Sequence, residues 1–533
     1  MESKEFNLLN EKWLRVMTND CCLHEVSLMD ALVNAHTYAT LASELPTLDI
    51  ALLRLLLAVL HSVFSRVNET GASSPITDAD DALDRWESLW KLGHFPAAPI
   101  QDYLAKYRER FYLFHPERPF YQVNSAKAGT EYTAAKLNGS ISESSNKIRL
   151  FPARTGAGKS LLTYAEAARW LIYLNGFDDT SAKPKQKGLP SPGAGWLGKL
   201  GLIAAQGDTL FETLMLNLVL LNERGEAWGE NKPVWELEIP RIWERSEIPL
   251  PDNQAELLTL QSRRLLLMRD ERGVTGCTLL GGDFFNKANA FTEQMTLWAY
   301  VEGKGNQPSY CQPKRHNPNK QIWREFSTIL AAESREEKPG VIQWEARLKQ
   351  DGILTKQRMA RFAIAGVQYG DKDFFATDIL SDSLNFHLDL LTEAGKAWNI
   401  KIIEEIDLID KAANEVRMLG MRIEKAGGGS GDVLGNRLKE QFYYRIDMDF
   451  RLLLSKIDPS DTYEHQMELL NRWHNTEKKI AQTLAKETID QAGQSAFTGR
   501  SINEKIKGKD EKHHYSLPEA YNSFNYRINK ILD

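Results

Sequence analysis

The stretch IIEEIDLIDKAANEVRMLGMRIEKAGGGSGD (402–432) decides how the last third of the chain folds. Ile402, Ile406, Ile409, Val416, Leu419 and Ile423 recur mostly three or four positions apart. That spacing puts them on one face of an α-helix. AGGGSGD (426–432) breaks the helix, because glycine gives up the most conformational freedom on becoming helical. Leu434, Leu438, Phe442, Ile446, Phe450 and Leu453 then mark a second helix. Asp458-Pro459-Ser460 reads as a turn and helix start, and EHQMELLNRW (464–473) carries a third amphipathic stripe. Leu517, Tyr521, Phe524, Ile528 and Ile531 mark a fourth. Four such helices predict a C-terminal four-helix bundle over 385–533.

Upstream the pattern is mixed. FNLLNEKWLRV (6–16) has the apolar density of a strand, and HEVSLMDAL (24–32) turns into a helix. Leu48 to Phe64 is apolar at nearly every turn, as a buried helix would be, and VWELEIP (234–240) alternates like a strand closed by Pro240. Residues 1–384 therefore read as a large mixed α/β domain, and the whole chain as α+β. Asn138 to Asn146 and Lys183 to Gly198 are rich in Ser, Asn, Lys, Pro and Gly, and read as long mobile loops. There is no internal repeat of fixed period.

At 533 residues the chain exceeds one hydrophobic core, and roughly two to four domains are expected. It is 42% apolar and 26% charged, ordinary for a folded soluble protein. Cys21, Cys22, Cys277 and Cys311 form no C-x-x-C pair, and the histidines do not cluster at zinc-ligand spacing, so neither a metal site nor a disulfide framework is expected. MESKEFNLL lacks the apolar core of a signal peptide. The run Ile50 to Leu60 is short and broken by Arg54, so no membrane span and a cytoplasmic location are expected. The net charge of −6 argues against a generally basic nucleic-acid binder, yet leaves room for local basic loops.

Four segments carry local chemistry. ARTGAGKS (153–160) fits the loose A/G-x-x-x-x-G-K-S phosphate-loop pattern, with NKIRLF reading as a strand before it and LLTYAEAARWLIYL as a helix after. On that reading the chain is a P-loop NTPase whose Lys159 holds phosphates and whose Ser160 holds magnesium. Against it stand Ala153 at the first position, Pro152 between strand and loop, and the lack of a following hydrophobic strand ending in Asp. The same loop suits a nucleic-acid phosphate: Gly156 and Gly158 allow close backbone approach, and Arg154 and Lys159 supply charge. SAKPKQKGLPSPGAGWLGK (181–199) holds Lys183, Lys185, Lys187 and Lys199 with no acidic residue between Thr180 and Gly207. It is a solvated loop or a polyanion contact. QSRRLLLMRD (261–270) reads as a strand with solvated arginines, and CQPKRHNPNK (311–320) as a cationic turn with His316 at the surface. No nucleophile triad, carboxylate pair or metal constellation emerges, so no catalytic residue is expected.

Three segments in order also resemble the CasA family, large subunits of the type I-E CRISPR surveillance complex (Cascade). FNLLNEKWLRV is similar to its N-L-L-x-x-x-W-hydrophobic-x-V start. YLFHPERPFYQ (112–122) is similar to its H-x-x-x-P-F-x-Q segment. LLTLQSRRLLL (257–267) is similar to its T-W-Q-S-R-R-I-R-L segment, with Leu260 where Trp is usual. The helical C-terminal third matches as well. The resemblance implies a non-catalytic subunit without cofactors, placed at the crRNA 5′ end beside other Cascade subunits. It implies recognition of the protospacer-adjacent motif in double-stranded DNA from the minor groove, help in opening the duplex, and docking of the helicase-nuclease.

The resemblance also implies site residues. The family's loop near the crRNA end corresponds to Phe151 to Ser160, making Phe151, Gly156, Gly158 and Lys159 candidates. Its glycine-rich minor-groove loop falls in Asn175 to Lys187, where NGFDDTSAKPK has few glycines and lysines stand in their place. Its minor-groove lysine corresponds to Lys287 in GGDFFNKAN (281–289). Its duplex wedge corresponds to the turn VQYGDKD (367–373), with Lys372 and Asp373 at the tip and Gln368 a few positions early.

Overall fold

A computed structural model describes residues 4–144, 147–181, 183–184, 186–238, 242, 245–330, 337–354, 358–506 and 509–532, less the side chains of 504–511. The fold is α+β. The chain divides into two compact units, Met1–Leu354 with Arg361–Leu384 and Thr355–Ala360 with Asn385–Asp533.

The first unit builds small antiparallel sheets around buried helices. β1 (Leu14–Thr18), β2 (Leu23–Val26) and β3 (Tyr38–Leu41) form a sheet ordered β2-β1-β3. Helix α1 (Pro46–Phe64) follows, with Pro46 at its first position, where a missing N–H costs nothing. It is long and apolar enough to cross a membrane, but nearly every side chain is buried inside the unit. Arg54 in its middle is tolerated because its guanidinium forks onto Glu293 at 2.7 and 2.9 Å. Further on come β4 (Thr130–Thr133), α2 (Tyr164–Phe177), β5 (Leu202–Ala205), β6 (Arg263–Asp270) and β7 (Gly273–Gly281). α2 starts at a capping box in which Thr163 and Glu166 satisfy each other's backbone amides. β7 lies between β4 and β6. The long strands β8 (Met359–Tyr369) and β9 (Ala376–His387) join β5 in the order β9-β8-β5.

In the second unit the four amphipathic stripes are helices α3 (Lys396–Gly427), α4 (Asp432–Lys456), α5 (Tyr463–Asp490) and α6 (Leu517–Leu532). Ile402, Ile406, Ile409, Val416, Leu419 and Ile423 are all buried. At the glycine break, Gly428 takes φ +100°, the left-handed conformation that ends a helix. Gly420 and Gly435 let α3 and α4 approach closely, since a Cβ on Gly420 would lie 3.0 Å from Gly435 Cα. A hairpin, β10 (Arg500–Ile506) with β11 (Lys509–Tyr515), separates α5 from α6. Its polar strands gave no apolar signal.

Several local expectations are corrected. FNLLNEKWLRV is two strands, Glu5–Asn7 and β1, split by a turn in which Trp13 Nε1 donates to Leu8 O. The first of them pairs with Tyr112–Phe114. VWELEIP is not a strand. Val234–Glu236 is a 3-10 turn, since Trp235 and Glu236 are both tied to the Tyr103 hydroxyl; Ile239 and Pro240 lie outside the described residues. The described part of NKIRLF, 147–151, is not a strand either: Lys147 bridges back to Ser144, and Arg149 is held by Ile141 O and Ala376 O; Asn146 lies outside the described residues. The described part of the Asn138 loop is packed, with Asn138 and Ile141 fully buried. The Lys183 loop is likewise anchored, with Ala194 and Trp196 buried and the Trp196 indole donating to Glu293 at 2.7 Å.

Candidate nucleic-acid interface

The end of α2 delivers Asp178 and Asp179 into the interior, where they gather Lys136 and Arg263 from distant segments and Lys183 from the loop that follows. Lys136 Nζ lies 3.0 Å from Asp178 and 2.9 Å from Asp179. Arg263 Nε reaches Asp178 at 2.5 Å, its Nη2 donates to the carbonyls of Asp178, Asp179 and Gly193, and its Nη1 donates to Ser262 O. Lys183 Nζ sits 2.7 Å from Asp178 and donates to the carbonyls of Asp179 and Ser181. Burial alone would raise the Asp178 carboxyl; Lys136, Lys183 and Arg263 overcome it and hold it far below the carboxylate range. Burial first, then Arg263 and Lys136, push the Lys183 ammonium down to about 8 against the pull of Asp178.

This corrects two expectations. The Lys183 side chain is a buried structural ion, because the Asp178 carboxylate captures it before any phosphate can. Arg263 and Arg264 on β6 are buried and not solvated, Arg264 being paired with Asp283 at 2.5 Å. Lys185 lies outside the described residues, and Lys187 is exposed.

On this buried base rests the turn between β8 and β9. Gly370 N donates to Phe375 O, and Lys372 and Asp373 take φ of 54° and 56°, a conformation side chains adopt only when neighbours enforce it. The neighbours are identifiable. Thr180 N donates to Asp373 O at 3.0 Å and Thr180 Oγ1 to Lys372 O at 2.9 Å. The Tyr369 hydroxyl donates to Phe177 O at 2.6 Å. Arg315 clamps the Asp373 carboxylate at 2.7 and 2.9 Å and donates through Nε to Gly198 O. Lys147 Nζ lies 3.0 Å from the ring centre of Phe374 and 3.8 Å from that of Phe375. Lys372 and Gln368 are exposed on this rigid support.

Next to Gly198, which Arg315 holds, Lys199, Arg245 and Arg263 from separate segments line one small pocket. Lys199 is pushed down to about 8, first by burial and then by the positive charges of Arg263, Lys287, Arg245 and Arg315. Arg315 is neutralised by Asp373 and Arg263 by Asp178, whereas Lys287 is exposed. Lys199 and Arg245 thus share this pocket, and Arg315 reaches the backbone beside Lys199 at Gly198. Lys199 was legible as part of an acid-free run, but Arg245 and Arg315 belong to segments that only folding brings here. His316, expected at the surface, is half-buried and its ring nitrogen Nε2 meets Leu202 O at 2.9 Å.

The loop 147–160 has a different character. Ile148, Leu150 and Phe151 are 76%, 84% and 89% exposed, an apolar edge with Phe151 at its end. Arg154 is paired with Glu166 at 2.6 Å and Lys159 with the buried Glu143 at 2.5 Å. Gly156 takes φ +54° with open space around it. Ala157–Ser160 is a single helical turn with no strand before it, so the strand–loop–helix frame of a nucleotide-binding P-loop is absent here and Lys159 already has a carboxylate. Among the described residues no three His, Cys, Asp or Glu side chains are placed to hold a metal.

Comparison with known proteins gives a consistent result. The family model described as CRISPR-associated protein Cse1 matches residues 7–484. A CRISPR-associated protein CasA/Cse1 of Thermus thermophilus is 31% identical over 332 residues, 61% of this chain and 60% of that protein. The match thus spans less than two thirds of that relative. The crystal structure of Thermobifida fusca Cse1 superimposes with a TM-score of 0.83 at 26% identity, over 100% of this chain and 99% of that one. A chain of a CRISPR RNA-guided surveillance complex superimposes with a TM-score of 0.67 at 16% identity, over 100% of both chains; this shows the fold alone.

Proposed function

This chain belongs to the CRISPR-associated Cse1 family, and from that membership we propose that it is the large, non-catalytic subunit of a cytoplasmic type I-E CRISPR surveillance complex. In this reading it sits at the crRNA 5′ end with the other subunits. It recognises the protospacer-adjacent motif of double-stranded DNA, aids duplex opening and docks the helicase-nuclease. The observation that carries the reading is the braced turn 370–375, which Arg315 clamps through Asp373, taken together with the exposed cation Lys287. A cation reaching a base edge supplies discrimination, and a rigid turn supplies the wedge that separates the first pairs. Phe151 at the end of an exposed apolar edge suits stacking on an unpaired crRNA base, and Gly156 and Gly158 leave room for its backbone.

The structure does not favour the NTPase alternative that ARTGAGKS suggested, since Lys159 is engaged by Glu143 and the helical turn Ala157–Ser160 follows no strand. The test of the proposal is equilibrium binding of assembled complex to duplexes that differ only in the motif beside the target. Wild-type complex is expected to discriminate among them and Lys287→Ala complex to lose that discrimination. Equal binding of all duplexes by wild-type complex overturns the reading.

A further inference from the structure

Away from the turn and the cation cluster, the first unit contains a second concavity of about 390 Å³. That is within the range of small-ligand pockets, about 300–1,000 Å³. One wall is the segment that leaves Tyr112–Phe114. It turns at Pro119–Gln122, with Gln122 N donating to Pro119 O, and then lies along β6, with Val123 N donating to Leu265 O at 2.8 Å and Leu267 N to Gln122 Oε1 at 2.9 Å. The opposite wall is the 3-10 turn Val234–Glu236, where Trp235 is fixed by its indole bond to the Tyr103 hydroxyl and by its ring against Phe111.

Three features of this cavity have no role in the fold's own accounting. Tyr121 sits in its wall with φ +55°, a conformation that is strained for a bulky residue and is held here by the bonds on either side. Gln261 also lines it, is 4% exposed, and its Oε1 accepts no hydrogen bond among the described residues. Arg110 and Arg118 stand at the cavity together. Burial first, then the charge of Arg118, push the Arg110 guanidinium down, so the two cations feel one another, and neither makes an ion pair among the described residues. Arg110 donates only a long bond, 3.3 Å, to Leu237 O. The single carboxylate in the lining, Glu117, is exposed to solvent.

Aromatic walls from Phe120, Tyr121 and Trp235, one unsatisfied amide oxygen and two guanidiniums at the same cavity form a specific combination. The walls suit a planar ring, the amide suits the polar edge of that ring, and the arginines suit a dianion fixed to it at short range. We propose that this cavity binds one nucleotide unit, with its base between the aromatic walls and against Gln261 and its phosphate on Arg110 and Arg118. The unit comes either from an unpaired nucleic-acid strand or from a free nucleotide. The site uses residues other than those assigned to duplex reading, so it goes beyond that function and stands or falls separately.

The test uses the full chain with three probes: adenosine 5′-monophosphate, adenosine, and a single-stranded octanucleotide carrying a photoreactive 4-thiouridine. Calorimetry is expected to give binding of the monophosphate or the octanucleotide that weakens at least tenfold in Arg118→Ala. Adenosine is expected to bind equally weakly to both proteins. Cross-links are expected in the peptides bearing Tyr121 or Trp235. Saturation by the monophosphate identifies a free-nucleotide site, and binding of the octanucleotide alone identifies a strand site. Gln261→Leu, checked for wild-type unfolding, is expected to weaken the same probes. If neither variant changes binding, or cross-links fall only in 147–160 or near Lys287, the proposal is overturned. Motif discrimination measured on the Arg118→Ala complex reports the duplex-reading function independently and is expected to be intact.

Discussion

Arg315 receives the carboxylate of Asp373 on both of its terminal nitrogens, at 2.7 and 2.9 Å, while its Nε donates to Gly198 O. One guanidinium thereby joins the tip of the β8–β9 turn to the far end of the lysine loop. The pair is half-exposed, so its net contribution to stability is small; its effect is on geometry, holding Asp373 in the left-handed conformation. Arg315→Ala is expected to change unfolding free energy by less than about 1 kcal/mol. On the proposed role of this turn in opening the duplex, the substitution is expected to slow opening beside the target about tenfold, because a mobile turn is misplaced most of the time. Fluorescence of 2-aminopurine in the first base pairs measures the opening, and an unchanged rate would show that the clamp is dispensable.

Two exposed lysines should behave differently on DNA. Lys187→Ala is expected to weaken binding to all duplexes alike and to reduce the slope of log affinity against log salt by about 1. Lys287→Ala is expected to cost about 1–3 kcal/mol on the preferred motif and much less on the others. A salt series on matched and mismatched duplexes separates the two effects.

Asp178 holds Lys136, Lys183 and Arg263 together in the interior. Removing it leaves three buried cations with one carboxylate, Asp179. Asp178→Ala is expected to destabilise the first unit by about 3–5 kcal/mol, read from denaturant unfolding. Lys183→Ala should also appear in unfolding and should leave the salt dependence of DNA binding unchanged.

The bundle is expected to lose stability as pH rises. Glu477 on α5 is fully buried and is raised to about 8, first by burial and then by the charge of Glu405. In the unfolded chain it titrates near 4.5, so folding takes up a proton between these values. Stability is therefore full below the unfolded value and declines as pH climbs through about 8. His474, raised by its hydrogen bond to Glu405, acts in the same direction: its contribution is complete below 6.5 and is lost as pH passes the folded value. Glu477→Gln is expected to flatten this dependence and to stabilise the bundle at pH 8 by about 2–4 kcal/mol. Hydrogen exchange across 463–490 at pH 6 and pH 8 measures it.

By itself the sequence determined the α+β class and the helical stripes from Ile402 to Ile531, because helix periodicity is written in residues three and four apart and burial follows it directly. It also marked Lys199 and Lys287 as cations, and the opening and aromatic segments that carry the family likeness. It did not separate a cation that is free from one that is already satisfied. Lys183 and Lys187 look alike in an acid-free run, yet the first has its side chain buried on Asp178 and the second is exposed. Arg154 and Lys159 looked available and have Glu166 and Glu143. Arg263 and Arg264 looked solvated and are core ions. Only the tertiary structure decided these, since a charge is neutralised by whatever carboxylate lies within a few ångströms. For Arg263 that carboxylate is 85 residues away along the chain, and for Arg315 it is 58.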